Sequence, residues 1–312
     1  MLDVLSDVLN RLRVTGTLYF RTQFTSPWGV EVPAYENVAR FHFAHRGDCL
    51  VRVAGAAAPV ALNQGDLVII PHGAGHKLHS RSTPLDQVLP LDRVVDAAGY
   101  GGEGVLVYGG HDDGWETQLI CGHFSFAAGA RHLIFERLPA HIHVANYGET
   151  AGRWMEATLR MIGEEAGGAR LGGDLIALRM TEVILAQAIR TYLETQARET
   201  PGLAGFADPQ LARALAALHR DPSAAWSVET LARTAGLSRT GFAQRFADRM
   251  GVTPMHYVTG WRMQVARQAI AEEGASVADA AALAGYASES AFTRVFKREL
   301  GAPPSAFRPQ AR

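Results

Sequence analysis

Ser238-Arg-Thr-Gly-Phe242-Ala-Gln-Arg-Phe246 and Ser288-Glu-Ser-Ala-Phe292-Thr-Arg-Val-Phe296 are two copies of one pattern. Counted from each Ser, Phe stands at four and eight residues, Gly at thirteen (Gly251, Gly301), Pro at sixteen (Pro254, Pro304) and an aromatic ring at nineteen (Tyr257, Phe307). Upstream, Val228, Ala232 and Gly236 match Val277, Ala281 and Gly285. Each residue type has a physical reason. Ala lets two helices cross closely, Gly takes the positive φ of a tight turn, and Ser caps the next helix. Two Phe four apart bury one face of that helix and leave the opposite face free. Each copy therefore reads as a helix-turn-helix whose outward face is free to meet DNA.

Between the copies, a helix from Pro254 to about Glu272 would be roughly 27 Å long. That length is commensurate with the roughly 34 Å between major grooves one turn apart on one DNA face. Residues 206 to 312 carry a net charge of +4 and the rest of the chain −5, so only the C-terminal part leans toward phosphate.

From Asp208 to Arg308, including Trp261-Arg-Met-Gln-Val-Ala-Arg-Gln-Ala-Ile and Gly285-Tyr-Ala-Ser-Glu-Ser-Ala-Phe-Thr-Arg-Val-Phe-Lys, the chain resembles the AraC type of transcriptional regulator. The resemblance implies sequence-specific binding to double-stranded promoter DNA. It places the base-reading residues opposite the Phe pairs: Arg239, Thr240, Ala243 and Gln244 on the first recognition helix, and Glu289, Ser290, Thr293 and Arg294 on the second. Gln suits adenine and Arg suits guanine, while Thr240 and Ala243 favour methyl contacts and shape. For the flanking Arg245, Arg249 and Lys297, phosphate contacts and intramolecular carboxylate contacts are equal alternatives.

Ahead of this part, short apolar runs separated by Gly and Pro turns suggest strands at Thr17–Phe24, Ala39–Phe43, Cys49–Val53, Leu67–Ile70, Val105–Tyr108 and Gln118–Phe126. Gly65-Asp-Leu-Val-Ile-Ile-Pro71-His-Gly73-Ala-Gly-His76 is similar to the second motif of the cupin barrel, and Phe41-His-Phe-Ala-His-Arg-Gly47 stands where the first would be. This implies a cupin-like sensor. Metal-binding cupins use two His and a Glu from the first motif; here His42 and His45 are three apart, on opposite strand faces, and no Glu follows in place. No cofactor is therefore expected, with a metal at His76 plus His42 or His123 kept as the alternative. An organic effector in the barrel is the leading reading, with His42, Cys49, His76, Cys121 and His123 as sensing candidates. Free cysteines are mostly buried and inert, which is the leading reading of Cys49 and Cys121; His45, Arg46 and Asp48 near Cys49 give two groups that favour a thiolate and one that opposes it, which is the redox alternative.

The period then changes to that of helices, from Trp154-Met-Glu-Ala-Thr-Leu-Arg-Met-Ile and again from Leu175 to Arg198. In the second, Leu175, Leu178, Ile184, Leu185 and Ile189 form an apolar stripe, either packed within the chain or joining a homodimer. Glu199-Thr-Pro-Gly-Leu-Ala-Gly reads as a boundary.

The 312 residues thus divide into a cupin-like sensor (1–150), a helical linker and dimerisation region (151–205) and a DNA-binding domain (206–312). The fold class is multidomain α+β, with an N-terminal barrel and a C-terminal all-α domain. A content of 47% hydrophobic and 20% charged residues argues against wholesale disorder. No apolar run reaches bilayer length and two cysteines do not make a secreted framework, so a cytoplasmic regulator without a membrane partner is expected. RNA polymerase is a partner if the protein acts as an activator. A metal-dependent cupin enzyme fused to a DNA-binding domain is the alternative, and the broken ligand set argues against catalysis.

Overall fold

The computed structural model describes residues 3–102, 104–110, 114–146, 158, 161 and 171–308. The Trp154 helix expectation lies outside the described residues, apart from positions 158 and 161. Two compact units are present. One is formed by Val14–Phe126 with Leu138–Tyr192; the other by Met1–Arg13, Ala127–Arg137 and Leu193–Arg312.

The first unit is the barrel. Its strands are β1 (Thr15–Thr25), β2 (Gly29–Val32), β3 (Val38–Arg46), β4 (Cys49–Val53), β5 (Val60–Leu62), β6 (Leu67–Ile70), β7 (His76–His79), β8 (Leu89–Pro90), β9 (Val105–Gly109), β10 (Glu116–Ser125) and β11 (Ile142–Val144). They form a six-stranded sheet in the order β11-β6-β3-β10-β1-β9 and a five-stranded sheet in the order β5-β4-β7-β2-β8. Alternate residues of both sheets fill one core, with Phe24, Val30, Val51, Val68, Leu78, Leu119 and Cys121 among its members. The sequence placed Cys49–Val53 and Leu67–Ile70 at their observed bounds. It passed over β2, β5, β7, β8 and β11, which are two to four residues long and carry no readable period. Helix α2 (Leu91–Ala97) follows β8.

A longer helix, α4 (Gly173–Thr195), turns Ile184, Leu185 and Ile189 inward and leaves Leu175, Ile176 and Val183 exposed. The stripe read from sequence is therefore not one surface: three of its five members are buried in their own chain, and Leu175 lies outside that buried face. Close packing of α4 depends on Gly16 of β1, where an added Cβ would come within 2.9 Å of the Thr181 side chain.

The second unit collects α1 (Val4–Arg11), α3 (Leu133–Arg137), α5 (Pro209–Arg220), α6 (Val228–Ala235), α7 (Arg239–Met250), α8 (Pro254–Glu272), α9 (Val277–Leu283) and α10 (Glu289–Leu300). The repeat is realised twice, as α6–α7 and α9–α10. Gly236 ends α6 in the left-handed conformation, and Ser238 caps α7 by accepting from Gly241 N–H; Ser288 caps α10 by accepting from Ala291 N–H. Gly285 sits at φ +73°, where a Cβ would meet Ser223 O at 2.7 Å, so the second turn admits only Gly without movement. Helix α8 begins at Pro254, capped by Thr253, and ends at Glu272. The stretch Glu199 to Gly205 reads as a boundary by composition, yet it is packed into this unit: Gly202 and Gly205 N–H both donate to Arg249 O, and Leu203 is fully buried. Among the described residues no helix is long and apolar enough to cross a membrane.

Candidate nucleic-acid interface and barrel pocket

In each recognition helix the Phe pair is buried, with Phe242, Phe292 and Phe296 at 0% exposure and Phe246 at 2%. Phe246 meets Tyr257 at 5.9 Å and Phe296 meets Phe307 at 5.5 Å, each ring edge-on, which explains the aromatic at the nineteenth position of both copies. With that face occupied, Arg239, Thr240 and Gln244 on α7, and Glu289, Ser290 and Arg294 on α10, are exposed; Ala243 and Thr293 are half-buried.

The two faces differ in their freedom. Arg239 is paired with Glu229 of α6, and Gln244 Nε2 donates to Asp248 Oδ1 at 2.8 Å. Among the described residues, Arg294 has no ion-pair partner. The flanking arginines of α7 resolve toward the carboxylate alternative: Arg245 donates to Asp208 Oδ2 at 2.7 Å, and Arg249 stands 3.4 Å from the same oxygen. Asp208 also caps α5 by accepting from Gln210 and Leu211 N–H. Burial would raise its pKa, but these bonds and the Arg245 charge hold it below the ordinary carboxylate value. Which carboxylate would serve was not readable in the sequence, because Asp208 and Arg245 lie 37 residues apart.

Helix α8 is held from several sides within its unit. Arg262 donates to Pro222 O and Ala224 O, both at 2.7 Å, and Trp261 stacks on His219 of α5 at 3.7 Å. A directed chain of hydrogen bonds runs beside this stack. His132 Nδ1 accepts from Ile134 N–H, so its Nε2–H donates to Tyr257 OH; Tyr257 then donates to His219 Nε2, and His219 Nδ1–H to Asp7 of α1. The four side chains come from four separate segments, and no local pattern marks them. Burial depresses the pKa of His132 and of His219, the latter against the opposing pull of Asp7.

In the barrel, Cys121 of β10 pairs with His42 of β3 across the ladder, and His42 reaches His76 of β7 in the other sheet. The protons of this cluster are fixed by one carbonyl. His76 Nδ1 lies 2.9 Å from Ala74 O and must donate, which leaves its Nε2 to accept from His42 Nε2–H at 2.8 Å. His42 Nδ1 then accepts from the Cys121 thiol at 3.1 Å. Three protons serve three bonds, and every ring is neutral. Burial, reinforced by His76 and Arg40, pushes the His42 pKa well down, while burial carries that of His76 to about 4.

The environment of Cys49 disfavours the redox alternative and fits the leading reading of a buried, inert thiol. His45 is exposed, whereas Cys49 is fully buried; burial raises its pKa far above the ordinary value, Cys121 and Asp48 add to the rise, and Arg81 opposes it only partly. Burial likewise pushes Cys121 to about 12. Burial thus favours the thiol form of both. His123 stands opposite Arg40 and is half-buried, two residues along β10 from Cys121. Among the described residues no group of three or more His, Cys, Asp or Glu is disposed to hold a metal ion. A cavity of ≈ 30 Å³ lies beside the cluster, walled by Thr22, Arg40, His42 and Cys121 and by apolar residues that include Leu91.

Comparison with known proteins agrees with both halves of this architecture. A cupin family model matches residues 3–194, and a helix-turn-helix domain model matches residues 231–310. A putative AraC-like transcription regulator of Streptomyces lividans is 34% identical, with 98% of each chain covered. RclR of Escherichia coli K12, described as an RCS-specific HTH-type transcriptional activator, is 26% identical over 100% of this chain and 99% of its own. Among solved structures, the DNA-binding domain of AdpA in complex with a target DNA is 32% identical, covering 32% of this chain and 90% of that one, with a TM-score of 0.30. The chain belongs to the AraC-type DNA-binding transcriptional regulators, with a cupin domain ahead of its paired helix-turn-helix units.

Proposed function

We propose that the protein is an effector-controlled, homodimeric regulator that reads promoter DNA through the exposed faces of α7 and α10, and that its effector is a small organic molecule taken into the barrel. The observation that carries the DNA reading is the duplicated recognition helix, each copy buried by its Phe pair and open on the other side. Arg239, Thr240, Ala243 and Gln244 read one groove; Glu289, Ser290, Thr293 and Arg294 read the next. Arg294 is the strongest single reader, because it is exposed and tied to no carboxylate among the described residues.

In the barrel, mainly apolar walls with a few polar groups favour an organic effector over an ion. The cavity has room for about one water. Entry of an effector therefore requires a wall to move, and half-buried Leu91 on α2 is the wall not anchored in a strand. An effector that binds the opened barrel better than the closed one shifts the population of the regulator. The reading contains no catalytic step, since His42, His76 and Cys121 are already engaged with one another as neutral groups. A cytoplasmic location follows from the role.

The test is selection of binding sites from a random duplex library by wild type and Arg294→Ala. Replacement should cost about 1 to 3 kcal/mol and relax preference at one base pair. Equal weakening on every sequence would assign Arg294 to phosphate instead.

A further inference from the structure

Arg239 is the first residue of α7, and it is the N-terminal end of a recognition helix that meets base edges in helix-turn-helix docking. Its side chain is exposed, and its Nε is paired with Oε1 of Glu229 on α6. That carboxylate sits in the first turn of α6, where the helix dipole favours a negative charge. Its own backbone N–H and the Ser227 side chain, followed by Arg239, hold its carboxyl below the ordinary value. A carboxylate at a DNA-binding face is repelled by phosphate, so charge alone argues against Glu229 at this place. The pairing gives it a use. A guanidinium has five donors; with Nε–H given to Glu229, the two terminal amino groups remain, and their outer edge matches the O6 and N7 acceptors of guanine. An exposed Arg without such a tie samples many rotamers and loses that freedom when it reads a base. The second recognition helix supplies the contrast, since Arg294 has no ion-pair partner among the described residues.

We propose that Glu229 is a specificity-determining positioning residue, which holds the Arg239 guanidinium edge-on to a guanine in the groove read by α7. This role rests on the DNA reading proposed above, and Glu229 acts through Arg239 without touching a base itself. Exposed ion pairs contribute little to fold stability, so the role shows in base preference and not in folding.

The test uses the full chain. Wild type selects binding sites from a random duplex library, and Kd is then measured for the selected duplex, for every single base-pair change in it, and for a duplex without the site. Arg239→Ala should lose a guanine preference of about fivefold or more at one base pair. Glu229→Gln keeps the shape and removes the charge; it should cut the preference at that same base pair at least threefold and leave the base pair that depends on Arg294 unchanged. On the unrelated duplex it should bind no more weakly than wild type, because a charge repelled by phosphate is gone. In an Arg239→Ala background the Glu229 change should alter no base preference. A guanine preference unchanged in either single variant overturns the proposal, including the case in which Glu229→Gln binds all duplexes more tightly, which would make Glu229 a mask over Arg239. A change confined to another base pair overturns it by making Glu229 a reader itself, and equal weakening on every duplex overturns it by assigning the pair to the fold. Those outcomes leave the DNA reading standing, whereas a wild type that selects no site overturns both.

Discussion

The neutral chain from Cys121 through His42 to His76 makes the barrel sensitive to acid. In the unfolded chain a His titrates near 6.5, whereas in the folded barrel His76 titrates near 4. Between those values the unfolded state holds a proton that the folded state refuses, so stability rises with pH across the window. The contribution is complete above about pH 6.5 and is lost as pH falls toward 4. At about 1.4 kcal/mol per pH unit, His76 alone costs the fold about 2 kcal/mol at pH 5 and about 3 kcal/mol at pH 4. His42 adds loss of the same sign, since its pKa is also depressed. The geometry gives the reason: a proton added to His76 Nε2 would point at the donor His42 Nε2–H, 2.8 Å away. His76→Gln retains an acceptor for His42 and abolishes the titration. Urea unfolding followed by Trp28 emission, at pH 7, 6, 5 and 4.5, should show a pH slope smaller in the variant by about 1.4 kcal/mol per unit. Parallel slopes for the two proteins would refute the assignment of protons in this cluster.

Val183→Glu places a charge on the exposed apolar face of α4 beside Leu175 and Ile176, and sedimentation should show the proposed dimer becoming a monomer; a monomeric wild type at micromolar concentration would remove the dimer reading. Cys49 and Cys121 should react with a thiol reagent only as fast as the barrel opens, and mild oxidant should leave operator affinity unchanged in wild type and in Cys49→Ser alike; rapid labelling of the native protein would contradict the burial of both thiols. Asp208→Ala removes the α5 cap and the acceptor shared by Arg245 and Arg249, and thermal unfolding should report a loss of about 1 to 2 kcal/mol.

What could be read in the sequence was what a local pattern encodes. The Phe pairs, the turn Gly at 236 and 285, and the bounds of α8 at Pro254 and Glu272 follow from spacing and capping, because each depends on neighbours within a turn or two. The same holds for the opposite facing of His42, which is buried, and His45, which is exposed. Three-dimensional neighbours were illegible. The Glu199 to Gly205 stretch has the composition of a linker, but a Cβ on Gly205 would collide with the Met250 side chain, so its Gly serves packing. For Arg245 the spacing left phosphate and an intramolecular carboxylate as equal alternatives, and only the fold places Asp208 beside it. The charges next to Cys49 in sequence say little about its protonation, which its burial decides.

The two recognition helices share a scaffold and differ in restraint: on the first, Arg239 is paired with Glu229 of α6 and Gln244 with Asp248 of its own helix, and on the second Arg294 has no ion-pair partner among the described residues. A change on one outward face leaves the buried Phe pair and the other copy untouched. Duplication therefore gives the protein two dials: one half-site can drift to a new base preference while the other keeps the regulator anchored, and new promoters can be recruited without a stage at which all recognition is lost.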